Sequence, residues 1–121
     1  MDTEYLFVYG TLRRRAGHPM HRLLRHHARY LGEGRVRGRL HDLGGYPGLV
    51  LDPCAPEVEG EIYAIANPRP LFRHLDDYEG CSPRHRRPHE YRRILAPVEG
   101  PDGTPLEAWL YEYDPRSKRR R

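Results

Sequence analysis

Leu106-Glu107-Ala108-Trp109-Leu110-Tyr111-Glu112-Tyr113 is the stretch that sets the architecture. A strand alternates its side chains between two faces, which puts Leu106, Ala108 and Leu110 on one side and Trp109, Tyr111 and Tyr113 on the other. Neither set suits water, so this strand needs cover on both faces. A sheet that curves and closes on itself, with helices outside, supplies that cover better than a flat sheet. The expected fold is α+β: a small mixed β-barrel of about six or seven strands with two helices flanking it or crossing its mouth.

The neighbouring segments agree. Tyr5-Leu6-Phe7-Val8-Tyr9 is a continuous apolar and aromatic run, the pattern of a central strand buried on both faces, and it stops at Gly10. Val36, Gly38 and Leu40 alternate with Arg35, Arg37 and Arg39, a strand with one wet, basic face. Leu49-Val50-Leu51 follows the tight loop Gly44 to Gly48, and Val58 to Ile65 alternates again. Tyr91 to Leu95 and Leu106 to Tyr113 make a hairpin around Pro101-Asp102-Gly103. Met20, Leu23, Leu24, Ala28 and Leu31 form a helical stripe, predicting a helix over 20–31 stopped by Gly32. Asn67 as cap and Pro68 as first helical residue predict a second helix running to Glu79, with Gly80 as its stop.

A chain of 121 residues suits one domain, here placed at 1–114, with 115–121 as a basic tail expected to fray. Twelve Gly and twelve Pro favour turns between short strands over a helical bundle. The net charge of +4 raises the question of nucleic acid, but much of the excess sits in Arg116, Lys118, Arg119, Arg120 and Arg121, and the other arginines are scattered. Nonspecific adhesion therefore ranks above specific nucleic-acid recognition. Cys54 and Cys81 form no CxxC pair, which fits a reduced, cytoplasmic setting. The N-terminus is acidic and the run from Tyr5 to Tyr9 is too short for a signal core or a membrane span, so no membrane partner is expected. Oligomeric state leaves no mark in these residues.

Among candidate sites Glu79 stands first. Leu75 lies four residues before it and Phe72 seven, so its carboxyl falls on the apolar stripe of the second helix. An ionised carboxylate there is costly unless something uses it. The apolar stripe, nearby Asp76 and Asp77, and the negative end of the helix dipole should all raise its pKa. Spacing alone leaves two uses open, a buried pair with an arginine or proton transfer near neutral pH. Asp76 and Asp77 are expected at the helix surface. Gly10 after a buried strand offers backbone N–H groups with no side chain in the way, although by itself Gly in that place reads by default as an ordinary turn. Cys81, His85 and His89 have helical metal-ligand spacing, but Pro83 and Pro88 break a helix there and no further cluster completes the set, so no metal is expected. The chain holds no phosphate-binding glycine loop and no Ser-His-Asp grouping.

Taken together, Tyr9-Gly10-Thr11-Leu12, Tyr46-Pro47-Gly48, Gly60-Glu61-Ile62-Tyr63, Leu75-Asp76-Asp77-Tyr78-Glu79-Gly80, Tyr91-Arg92-Arg93 and Ala108-Trp109-Leu110-Tyr111 resemble the gamma-glutamylcyclotransferase-like family, in the same order and over nearly the whole chain. The pairing of the first-strand YGTL with an LDxxEG helix is more discriminating than either half. The resemblance implies that Tyr9, Gly10, Thr11 and Leu12 hold the gamma-glutamyl group through backbone amides, that Glu79 is the catalytic acid and base, and that Tyr91 lines the pocket. It implies release of 5-oxoproline and an amine or amino acid from a small gamma-glutamyl amide, without metal or organic cofactor. The arginine-rich tail and the loop from Ser82 to Pro88 are this chain's own. Two rival readings are a non-catalytic small-molecule binding domain of the same fold and, below it, a basic nucleic-acid-associated module.

Overall fold

The computed structural model describes residues 3–10 and 19–120, with backbone alone for 19, 20 and 118–120. Six strands and two helices follow one another: β1 (Glu4–Val8), α1 (Pro19–His27), β2 (Ala28–Asp42), β3 (Pro47–Leu51), β4 (Glu57–Ile65), α2 (Pro68–Tyr78), β5 (Tyr91–Glu99) and β6 (Pro105–Tyr113). The sheet order is β3-β2-β4-β1-β6-β5, and a further pairing of β2 with β5 at Arg35 and Glu99 closes five of the strands into a barrel. β3 lies outside that ring on β2. Every pairing is antiparallel except that of β1 with β6, so the barrel is mixed, as expected.

Closure buries both faces of β1 and of the end of β6 and gives the molecule two cores. Phe7, Val36, Val58, Ile62, Ala96, Val98, Ala108 and Leu110 pack together as one cluster. Leu6, Val8, Tyr63, Ile65, Tyr91, Tyr111 and Tyr113 alternate with them along the same strands and pack against Leu24 of α1 and Leu71, Phe72 and Leu75 of α2. The alternation along β6 thus separates barrel filling from helix seat, which is why neither face could be polar.

The first helix is shorter than its stripe suggests. It ends at His27, and Ala28 starts a strand of 15 residues. Ala28 and Leu31 fit a helical or an extended pattern equally, and pairing of Ala28 with Ile65 and Tyr30 with Tyr63 decides for the strand. The His27 carbonyl accepts the N–H groups of Ala66 and Asn67, so the end of α1 is tied to the start of α2. Gly32 marks a register irregularity in β2, not a helix stop. Asn67 makes no side-chain cap bond.

The basic face of β2 is matched by acids. Arg35 lies 3.7 Å from Glu59 and 3.5 Å from Glu99, and Arg39 lies 3.0 Å from Asp52. After β6, Pro115–Arg120 forms a short 3-10 helix, begun by Asp114 accepting from Ser117. Among the described residues no helix is long and apolar enough to cross a membrane.

Candidate active site

The site forms where β1 ends beneath the C-terminus of α2. α2 puts Leu71, Phe72 and Leu75 inward, and the same stripe carries Glu79, the residue that closes the helix. Gly80 adopts φ +75°, its N–H bonds the Asp77 carbonyl at 3.2 Å, and the Cys81 N–H bonds the Asp76 carbonyl at 2.9 Å. This paired closure fixes the last turn and with it the direction of the Glu79 side chain.

Glu79 faces a cavity of about 410 Å³ lined by Tyr9 and Gly10 from the end of β1, Tyr46 just before β3 and Pro47 at its start, and Glu90 and Tyr91 at the start of β5. Burial raises the Glu79 carboxyl from 4.5 to about 7, and the charge of Glu90 adds to the rise. The apolar surroundings were an expected source; the neighbouring charge that adds to them is that of Glu90 and not of Asp76 or Asp77, each of which is engaged elsewhere. Asp76 accepts from Arg93 Nε at 2.9 Å and from the Tyr111 hydroxyl at 2.7 Å, so it is a fastening between helix and barrel and not a bare surface acid. Asp77 accepts from Arg84. Among the described residues no arginine pairs with Glu79, so the buried ion pair left open by spacing is not formed there.

Three tyrosines hold the walls. The Tyr9 hydroxyl donates to the Tyr111 carbonyl at 2.5 Å and accepts the Leu49 N–H at 3.1 Å. The Tyr91 hydroxyl donates to the Pro47 carbonyl at 2.7 Å. Burial keeps both phenols protonated well above their ordinary range. The Tyr46 hydroxyl donates to Glu90 at 3.0 Å. Gly10 has φ +71°, and a Cβ there would stand 2.9 Å from Pro47 Cγ, so both conformation and close approach require glycine.

Of the residues singled out from sequence, Tyr9, Gly10, Glu79 and Tyr91 come together around one cavity; Thr11 and Leu12 lie outside the described residues. Glu90, Tyr46 and Tyr111 were missed as wall residues. Tyr46 and Tyr111 stand inside quoted motifs, and that was the available signal; Glu90 ends a polar loop and carries none. In that loop His85 bonds the Ser82 hydroxyl at 2.8 Å and His89 bonds the His85 carbonyl at 3.0 Å, so these histidines hold the loop's shape.

Comparison with known proteins agrees with the fold. The family described as "Gamma-glutamyl cyclotransferase, AIG2-like" matches residues 6–121. A Vibrio cholerae protein named "Putative gamma-glutamylcyclotransferase" is 38% identical over 110 residues, covering 89% of this chain and 80% of its own. A similarly named protein of Methanocaldococcus jannaschii is 28% identical over 91% of this chain and 84% of its own. The crystal structure of an AIG2-like protein from Mus musculus superposes with a TM-score of 0.71 at 28% identity, covering 98% of this chain and 84% of that one. The chain therefore belongs to the gamma-glutamyl cyclotransferase, AIG2-like family.

Proposed function

We propose that this protein releases 5-oxoproline and a free amine from a gamma-glutamyl amide, with Glu79 as general base and then general acid. The observation that carries the reading is the Glu79 carboxyl, raised to about 7 inside a cavity that also opens onto Gly10. A carboxyl of that pKa exchanges protons in both directions near neutral pH. The substrate's α-ammonium gives a proton to Glu79, and the freed nitrogen attacks its own γ-carbonyl carbon. The new C–N bond closes a five-membered ring. The old amide C–N bond then breaks as Glu79 returns that proton to the departing nitrogen, and the second proton of the ring nitrogen passes by way of Glu79 to the released amine, which leaves as its ammonium ion. Atoms balance without oxidant, reductant or water, so the chemistry asks for no further group.

In this scheme the protein's work is to fold the substrate and to steady charge. The backbone at Gly10, bare of a side chain, receives a substrate oxygen, and the walls at Tyr9, Tyr91 and Pro47 keep the glutamyl portion bent. Thr11 and Leu12 continue the same backbone cradle in this proposal. The test is incubation of the protein with a panel of gamma-glutamyl amines and gamma-glutamyl amino acids. Formation of 5-oxoproline and free amine in equal amounts supports the reading. Saturable binding without 5-oxoproline would instead favour a binding domain of the same fold.

A further inference from the structure

β3 is the strand outside the ring, and it carries the cavity wall at Pro47. One of its edges pairs with β2 from Pro47 to Leu51. The other comes alongside the end of β6, past the meeting of β6 with β1 at Leu6 and Trp109, and is joined to the barrel by side chains instead of a backbone ladder. The Tyr9 hydroxyl makes one rung, accepting the Leu49 N–H at 3.1 Å while it donates to the Tyr111 carbonyl at 2.5 Å. Glu112 makes the next, its Oε2 accepting the Leu51 N–H at 2.9 Å. At the start of the strand the Tyr91 hydroxyl donates to the Pro47 carbonyl at 2.7 Å. A strand whose outer backbone groups turn to side chains is placed by those side chains.

Tyr9 and Tyr91 line the cavity, whereas Glu112 stands outside its lining. Glu112 is nonetheless buried, and its two oxygens divide the work. Oε1 accepts from Arg92 Nη2 at 2.9 Å and from Nε at 3.2 Å, across the pairing of β5 with β6, while Oε2 reaches β3. The Arg92 side chain is largely exposed, so a pair with it needs no buried acid; reaching the β3 backbone does. Leu51 and Pro47 lie roughly 13 Å apart along one extended strand, so fixing the first sets the line of the second. Pro47 stands so close to Gly10 that a Cβ there would lie 2.9 Å from its Cγ. We infer that Glu112 is a positioning residue of this site: by holding Leu51 it sets β3, and through β3 it keeps Pro47 against the Gly10 backbone that receives the substrate oxygen. The inference rests on the proposed function for what that substrate is.

Variants assayed with one gamma-glutamyl amide test this. Glu112→Met keeps the volume and removes the acceptor, and Glu112→Ala removes both. Each should raise KM by roughly tenfold, the scale of one lost hydrogen bond to a charged group, with kcat held within about threefold because Glu79 is untouched. Glu112→Gln keeps an acceptor for the Leu51 N–H and should hold KM within about threefold of the wild type. Arg92→Ala removes the ion pair but not the rung, and should leave KM likewise unchanged. A wild-type KM in folded Glu112→Met or Glu112→Ala protein overturns the inference. So does a rise of roughly tenfold in Glu112→Gln or Arg92→Ala, which would make the ion pair and not the rung decisive. If the wild type turns over no gamma-glutamyl amide, the proposed function fails by itself, and amide hydrogen exchange then decides the role of Glu112. Exchange faster by roughly tenfold or more at Leu49 as well as at Leu51 in Glu112→Met upholds it; a change confined to Leu51, or none, overturns it.

Discussion

At the scale of single residues, the pKa of Glu79 makes claims about both rate and stability. Its value of about 7 predicts that kcat/KM rises with pH and levels off above pH 7, since the base form must be ionised. Removing the repulsion in Glu90→Gln should move that limb to lower pH; an unmoved limb in a pH–rate profile would contradict the coupling. Tyr9 and Tyr91 face the same carboxyl but stay protonated throughout this range. For stability, a carboxyl whose folded pKa lies above its unfolded value of 4.5 binds more protons when folded, so the fold loses stability as pH rises from 4.5 to 7. Glu79→Gln removes this cost, at most about 3 kcal/mol. Its Tm should exceed that of the wild type at pH 8, with the gap closing towards pH 4.5. Gly10→Val, forced to φ +71° against Pro47, should lose substrate binding by roughly tenfold or more, read as KM. The inward turn of Glu79 was legible from its spacing to Phe72 and Leu75. Glu90 was not, because the closeness of those two acids is made by the tertiary return of β5 and leaves no local pattern.

At the scale of secondary structure, α2 is seated on the barrel by one cluster. Arg93 of β5 pairs with Asp76 at 2.9 Å and lies over the Phe72 ring at 4.0 Å and the Trp109 ring at 4.8 Å. The Tyr111 hydroxyl closes the set on Asp76. Asp76→Ala leaves a half-buried guanidinium and a buried phenol without their acceptor, so unfolding in urea should show a loss of roughly 2–3 kcal/mol. A change below about 0.5 kcal/mol, the usual scale of surface substitutions, would contradict a fastening role. The span of α2 could be read from Pro68 and Gly80, which impose their geometry locally. The end of α1 could not, since Ala28 and Leu31 satisfy both periodicities and the choice lies with β4, more than thirty residues away in sequence.

For the molecule as a whole, closure of the barrel is the condition for everything above: it turns β1 into a strand with two buried faces and brings its end under α2. The closing contact is narrow, a pairing at Arg35 and Glu99, beside which a Cβ on Gly34 would meet Ile62 Cγ1 at 2.6 Å and the Glu99 carbonyl at 2.9 Å. Gly34→Val should therefore cost roughly 1–3 kcal/mol by overpacking the seam, measured by thermal or urea unfolding. The barrel was legible because Leu106 to Tyr113 offers water no face, and its two helices because they supply the second cover. Strand order and the parallel meeting of β1 with β6 were not, since they depend on which edges find each other after collapse. The central claim is that Glu79 moves the proton at this site. Its most direct test is 5-oxoproline release from a gamma-glutamyl amide by the wild type and by a Glu79→Gln protein shown by circular dichroism to be folded. The account predicts turnover by the wild type and a loss of roughly a hundredfold or more in the variant; a folded Glu79→Gln protein that turns over at the wild-type rate would contradict it.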